Sequence, residues 1–160
     1  DFYNYLVTRP IDMLYAAEKN YEPMFEGNPF ITKIDRIEKT DDNSYQIYDY
    51  KTGKPKDSDV ICWGGDNENY LRQLGMYAYI FEQENPGCKV TQTGFIFPDG
   101  AKSGDNHFCL TYKQEDIDKI VADYKQAIAD INNLKFTPCK EGSEVCNYCA
   151  FRTTVCKREK

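Results

Sequence analysis

The chain has 160 residues, of which 41% are hydrophobic and 29% are charged, a length and composition that suit one domain whose core needs no disulfides. Its formal net charge of −6 argues against simple non-specific adhesion to nucleic acid, but it does not exclude an enzyme that acts on nucleic acid, because a metal site requires carboxylates. The longest apolar runs span only a few residues, so we expect no membrane span.

The first half of the chain is predicted to contain one helix and one β-hairpin. Residues 10–21 are predicted to be helical, because Pro10 suits the first helical position and the apolar side chains after it recur at helical spacing. Residues 29–39 and 45–50 have the pattern of strands, and the polar cluster 41–44 between them predicts a tight turn. A loop follows over residues 52–66.

The second half is predicted to add a helix, two strands and a further helix. The helices are predicted over 67–83 and 114–132, and the strands over 89–97 and 107–112. The order α-β-β-α-β-β-α predicts an α/β (α+β) fold with a mixed central sheet flanked by helices. We expect one core domain over residues 1–136 and a cysteine-rich tail over residues 137–160, packed on the same domain.

The predicted hairpin carries the residues with the clearest chemistry. Side chains alternate along a strand, so Asp49 and Lys51 project to the same face of the second strand. Asp35 in the first strand can lie across from Asp49, and two converging carboxylates repel each other unless they share a cation. Hard oxygen ligands suit Mg²⁺ or Mn²⁺. Spacing alone favours an alternative without function, in which Asp49 and Lys51 form an exposed ion pair on a surface hairpin. Such a pair contributes little to the stability of the fold.

Three longer motifs change this balance. They are KIDRI at 33–37 with IYDYKTGK at 47–54, then QLGMY at 73–77, and Cys146-x2-Cys149 followed by Cys156. In order and separation they resemble the PD-(D/E)XK nuclease superfamily, specifically its RecB-like branch, whose members read roughly G-x-I-D-R-I, D-Y-K-T-G and Q-x-x-x-Y and in part carry an iron–sulfur cysteine tail. The resemblance covers roughly residues 22–156.

This resemblance implies a restriction-endonuclease-like core and metal-dependent hydrolysis of DNA. Asp35 and Asp49 would bind Mg²⁺ or Mn²⁺, with the backbone carbonyl of Tyr50 as a third ligand, and Lys51 would be the catalytic lysine. It also implies an exonuclease-type role in recombination, repair or CRISPR adaptation, with a helicase domain or subunit as a partner. A catalytically inactive DNA-binding or assembly module is the alternative.

The resemblance assigns supporting roles to four more residues. Gln73 would orient the catalytic site or contact the substrate backbone, and Tyr77 would support it. Arg36 would help to bind substrate. Glu22 matches the acidic residue that precedes the hairpin in these nucleases, although it also suits an ordinary exposed position. One departure is Thr32, which replaces the glycine usual before the first motif.

The cysteines predict a second kind of site in the tail. Four of the seven cysteines, Cys139, Cys146, Cys149 and Cys156, lie in the last 22 residues, and four thiolates can hold Zn²⁺ or a [4Fe–4S] cluster. In one interpretation Cys146, Cys149 and Cys156 are cluster ligands whose fourth partner is upstream of this excerpt. In the other, Cys139 completes a local site, and reduced thiols that bind nothing are a third interpretation. The uneven placement favours a reducing, cytoplasmic location.

Overall fold

A five-stranded mixed sheet forms the centre of the fold in a computed structural model, which describes residues 11–54, 61–65, 67–98, 107–136, 144–152 and 154. In chain order the strands are β1 (Leu14–Tyr21), β2 (Met24–Phe25), β3 (Asn28–Pro29), β4 (Thr32–Asp41), β5 (Ser44–Tyr50), β6 (Lys89–Ile96) and β7 (His107–Leu110). The spatial order in the large sheet is β1-β4-β5-β6-β7, and β2 and β3 form a separate hairpin. β5 and β6 are parallel, whereas the other neighbouring strands are antiparallel.

Contacts between residues divide the chain into two compact units, Asp1–Tyr124 and Lys125–Lys160. The first unit contains the sheet, helix α1 (Glu68–Glu84) and the first part of helix α2 (Gln114–Asn132). The second unit contains the end of α2 and a short 3-10 helix, Glu144–Asn147. In the part of the chain that is described, no helix has both the length and the apolar character needed to cross a lipid bilayer.

The β4–β5 hairpin follows the alternation expected from its sequence. Arg36 pairs with Tyr48 and Ile37 pairs with Ile47, so the odd-numbered residues of both strands share one face. Ile37 and Ile47 on that face have no exposed surface. Asp35 lies two residues before Ile37 and therefore projects to the same face.

Helix α1 covers this face of the sheet. Its apolar side Leu74, Ile80 and Phe81 is almost completely buried, and the Phe81 ring packs against Tyr45 of β5 at a centroid distance of 4.9 Å. Helix α2 packs closely on α1, because the side chain of Ile120 occupies the space that a Cβ atom on Gly75 would need. The sheet and helix α1 each bury an apolar face against the other, and this contact forms the layered core.

The structure confirms the mixed sheet with flanking helices, and it corrects the first predicted element. Residues 10–21 were predicted to be helical, but only Ile11–Met13 form a 3-10 turn and Leu14–Tyr21 form strand β1. Pairing with β4 satisfies the backbone groups of this segment, and the Tyr15 ring packs at 5.1 Å from the ring of Tyr45. Tertiary pairing outweighs a weak helical periodicity in a segment this short.

Candidate active site

Asp49 lies at the end of β5, beneath helix α1, with only 4% of its surface exposed. Its Oδ1 atom is 3.3 Å from the Tyr77 hydroxyl and 3.3 Å from the Gln73 amide nitrogen, and both of these groups donate to it. Its Oδ2 atom is 2.8 Å from the Lys51 ammonium. A carboxylate is thus held between one cation and two neutral donors where β5 ends.

The Oδ2 atom of Asp49 has an incomplete environment. It is buried, and among the described residues it accepts no hydrogen bond of good geometry, so its contact with Lys51 is an ion pair rather than a well-directed hydrogen bond. Burial raises the pKa of Asp49 above its ordinary value, Lys51 opposes this increase, and the negative charge of Asp35 adds to it. A buried carboxylate oxygen of this kind favours a further cationic partner.

Asp35 supplies a second carboxylate on the same face. The register of the hairpin brings Asp35 beside the last residues of β5, and its Oδ2 atom accepts a hydrogen bond from the backbone N–H of Tyr50 at 2.9 Å. The electrostatic effect of Asp35 reaches both Asp49 and Tyr77. The structure therefore brings Asp35, Asp49 and Tyr50 together at one edge of the sheet.

Lys51 follows β5 directly, and its ammonium group is held from several sides. Besides Asp49, it contacts the side-chain oxygen of Gln73, to which it donates a hydrogen bond of 2.9 Å. The ammonium also lies 5.3 Å from the ring centre of Tyr70 and 5.2 Å from that of Phe95, distances at which a cation is attracted to an aromatic ring. These contacts fix the ammonium beside the carboxylate of Asp49.

Gln73 and Tyr77 are one turn apart on α1 and act as a connected pair. The Gln73 amide donates to the Tyr77 hydroxyl at 2.8 Å, so the amide group joins Lys51, Tyr77 and Asp49 in one network. Burial, and after it the charge of Asp49, raises the pKa of Tyr77 to about 12. Tyr77 thus remains a neutral hydrogen-bond donor at any pH at which the protein is expected to work.

Two residues that the resemblance assigned to the site, Arg36 and Glu22, take no part in the hydrogen-bond network around Asp49 within the described part of the chain. The Arg36 guanidinium donates to the Glu38 carboxylate at 2.6 Å, and strand alternation directs both side chains away from the face that carries Asp35. The structure does not bring Arg36 into the network. Glu22 is exposed and follows the end of β1, where Tyr21 pairs with Thr32 at the start of β4, so it lies near the edge of the sheet that carries Asp35.

Tyr70 and Phe95 were not predicted as site residues. Phe95 is fully buried in β6. Tyr70 lies three residues before Gln73 on α1, so Tyr70 and Gln73 are neighbours on one surface of the helix. The helical spacing from Gln73 to Tyr70 was available as a signal. Phe95 reaches Lys51 because β6 pairs in parallel with β5. This pairing cannot be predicted from the order of the elements alone.

The donor set fits a hard divalent cation. Asp35 and Asp49 offer carboxylate oxygens on one face of the sheet, and one of these oxygens is buried and incompletely partnered. Mg²⁺ is typically bound by one or two protein carboxylates and retains several water ligands. Within the described ranges, no group of three or more His, Cys, Asp or Glu side chains converges. The side chains described here would therefore supply two ligands, and the Tyr50 carbonyl was predicted as the third.

The tail cysteines are described only in part. Cys146 is buried and Cys149 is half-buried. The backbone N–H of Cys149 donates to the carbonyl of Cys146 at 3.5 Å, which closes a turn between them. Cys139 and Cys156, the other predicted ligands, lie outside the described residues.

Comparison with known proteins gives three findings. A family model described as the PD-(D/E)XK nuclease superfamily matches residues 11–157. Among solved structures, the chain is similar to a candidate exonuclease from Eubacterium rectale, with 14% identity, a TM-score of 0.48, and coverage of 83% of this chain and 51% of that one. It is also similar to the protein SSO0001, with 18% identity, a TM-score of 0.49, and coverage of 91% and 62%. No curated protein matches the chain.

The chain is shorter than both of these solved structures. It spans 51% of the length of the first and 62% of the length of the second.

Proposed function

The chain belongs to the PD-(D/E)XK nuclease superfamily, and from this premise we propose that it is a Mg²⁺- or Mn²⁺-dependent deoxyribonuclease whose centre is Asp35, Asp49 and Lys51. Nucleases of this superfamily generally use one of these two ions. The observation that carries the proposal is the buried Asp49 carboxylate, which has one incompletely partnered oxygen, an ammonium at 2.8 Å and a second carboxylate on the same face.

Asp35 and Asp49 would hold the ion, together with the backbone carbonyl of Tyr50, and Glu22 at the same edge of the sheet is a further candidate ligand. When bound, such an ion neutralises charge that develops on phosphate oxygens and makes water more acidic. The chain contributes the position of these ligands, which are set by the β4–β5 register. Because Asp49 is buried, the local dielectric constant is low, and its charge would attract a bound ion more strongly than an exposed carboxylate would.

Lys51 would act on the water and the phosphate. Its ammonium, held by Asp49 and Gln73, can hold the attacking water or donate to an oxygen of the scissile phosphate as a P–O bond forms and the opposite P–O bond breaks. Gln73 would orient Lys51 and Tyr77 would hold the Asp49 carboxylate. Arg36 takes no part in this proposal, because its guanidinium pairs with Glu38 on the other face.

The finer assignment rests on the motifs. We place the chain in the RecB-like branch, as an exonuclease-type domain of a DNA repair, recombination or CRISPR adaptation protein in the cytoplasm, with a helicase as a partner. We also propose a nuclease core over residues 1–136 and a tail over 137–160 in which Cys146, Cys149 and Cys156 bind a [4Fe–4S] cluster. The alternatives are a local site completed by Cys139, Zn²⁺ in place of the cluster, and thiols that bind nothing. Metal analysis with a visible absorption spectrum separates iron–sulfur from zinc and from nothing.

A cleavage assay tests the proposed function against an inactive DNA-binding module. Linear single- and double-stranded DNA, labelled at one end or internally, is incubated with the protein and Mg²⁺ or Mn²⁺. We expect cleavage that EDTA abolishes and that an Asp35→Asn, Asp49→Asn double variant lacks. The order in which end and internal labels are released separates exonuclease from endonuclease activity. DNA binding without cleavage in either ion would favour the inactive module.

A further inference from the structure

Among the described residues of the second unit, three aromatic side chains are exposed, Phe136, Tyr148 and Phe151, and the last two lie close together in the chain. Tyr148 is 92% exposed and Phe151 is 62% exposed, which is unusual for large apolar rings in a segment that also buries Cys146. The segment has a defined backbone: the N–H of Cys149 donates to the carbonyl of Cys146, and the N–H of Arg152 donates to that of Cys149.

These two bonds make two successive turns of the same kind. Tyr148 and Phe151 occupy the equivalent position in each turn, three residues apart. The 3-10 helix ends at Asn147, so each of the two exposed rings belongs to its own turn and can stack on a separate base. The guanidinium of Arg152 donates to the side-chain oxygen of Asn147 at 3.1 Å, which joins the ends of the two turns.

The charge of the unit indicates what the rings contact. Residues 125–160 contain seven Lys and Arg against four Asp and Glu, a local charge of +3, whereas the rest of the chain sums to −9. A polyanion is therefore attracted to this unit and repelled by the other. Unpaired bases stack on exposed aromatic rings while their phosphates pair with cations, whereas the bases of a duplex are already stacked on each other.

We propose that Tyr148 and Phe151 form a base-stacking platform for single-stranded DNA. The proposal deepens the proposed nuclease function by assigning the contact with the substrate strand to the tail. Ring stacking gives affinity for unpaired bases with little sequence preference, and the positive charge of the unit gives the salt-dependent part of binding.

Binding of a fluorescein-labelled oligothymidine, measured by anisotropy in the full chain with EDTA present, tests the platform. We expect Tyr148→Ala to weaken binding by about 5- to 150-fold, the range for loss of one stacked base, with an unchanged slope against salt because no charge is removed. Tyr148→Phe should bind as the unaltered chain does, and Tyr148→Leu should bind as weakly as Tyr148→Ala. Ile31→Ala, which removes a side chain that is 74% exposed in the first unit, is the control and should have no effect.

Two results would overturn the platform. If Tyr148→Ala binds within twofold of the unaltered chain, the rings do not contact the strand. If Tyr148→Leu retains full affinity, the surface is a general apolar contact that suits a protein partner. Because EDTA prevents cleavage, the outcome is independent of catalysis: Tyr148-dependent binding without Mg²⁺-dependent cutting would support the platform and contradict the nuclease, and cutting without Tyr148-dependent binding would do the reverse.

Discussion

Lys51 donates a hydrogen bond of 2.9 Å to the side-chain oxygen of Gln73, which joins the end of β5 to the first half of α1. The same Gln73 amide donates to Asp49 at 3.3 Å. One neutral side chain thus contacts both the amine and the carboxylate of the proposed catalytic centre. Gln73 accepts from Lys51 through Oε1 and donates to Asp49 through Nε2. It is therefore a positioning residue, which holds the two charged groups in place without carrying a charge itself.

Gln73→Ala should lower the rate of DNA cleavage by about 10- to 100-fold, the usual effect of removing a side chain that orients an active-site group. Lys51 would lose its neutral acceptor and Asp49 one of its donors. Because Gln73 is only half-buried, the unfolding temperature should change little. Gln83→Ala, on an exposed position of the same helix, is the matched control. A Gln73→Ala rate within twofold of the unaltered rate would exclude this positioning role.

Mg²⁺ or Mn²⁺ should raise the unfolding temperature of the chain. An ion that binds only the folded protein adds about 2.7 kcal/mol at one hundred times its Kd, or roughly 5–10 °C for a domain of this size. Asp35→Asn should remove most of this increase, because one of two carboxylate ligands is lost. Asp42→Asn in the exposed β4–β5 turn is the control. An equal increase in Asp35→Asn and in the unaltered chain would place the ion elsewhere.

The stability of the metal-free protein should depend on the protonation of Asp49. Burial raises its pKa above the ordinary 3.8, so on acidification the folded protein takes up this proton before the unfolded chain does, and folding becomes more favourable. At neutral pH the ionised carboxylate is unfavourable, so Asp49→Asn should be more stable by on the order of 1 kcal/mol. We expect that advantage to shrink as the pH falls from neutral through the raised pKa of Asp49 towards the ordinary 3.8.

Thermal unfolding in EDTA across this pH range measures the difference between the two proteins. Asp118→Asn on the exposed side of α2 controls for the loss of one negative charge. An advantage of Asp49→Asn that stays constant or grows on acidification would mean that the pKa of Asp49 is not raised. An excess of Mg²⁺ should reverse the order of stability, because the ion favours the ionised carboxylate of the unaltered chain.

The sequence was sufficient for the parts of the site that depend on local periodicity. Strand alternation puts Asp49 beside Lys51, and helical spacing puts Gln73 and Tyr77 on one face of α1. A short polar turn between two strands brings Asp35 to Asp49, because the register of a hairpin is set by its turn. These relationships involve neighbours in the chain, so they could be predicted without knowledge of the tertiary structure.

The features that could not be predicted depend on pairing between distant segments. Strand β1 is extended because β4 offers it an edge, and its own periodicity favours a helix. The position of Arg36 was a local matter that motif matching overlooked, because strand alternation alone places Arg36 and Glu38 together on the face opposite Asp35. Phe95 lies beneath Lys51 only because β6 pairs in parallel with β5. Gly94 in β6 allows the close approach of β7, since a Cβ atom there would collide with the Phe108 carbonyl.

The most direct test of the proposed catalytic centre is the single-turnover rate of DNA cleavage by Lys51→Ala in Mg²⁺, beside Lys54→Ala. Lys54 is exposed three residues further along the same segment, so the two variants remove the same charge and differ in position. We predict a rate about 10²- to 10³-fold lower for Lys51→Ala, the usual loss when one group that stabilises developing charge is removed, and an unchanged rate for Lys54→Ala. Equal rates in Lys51→Ala and the unaltered chain would contradict the proposed centre.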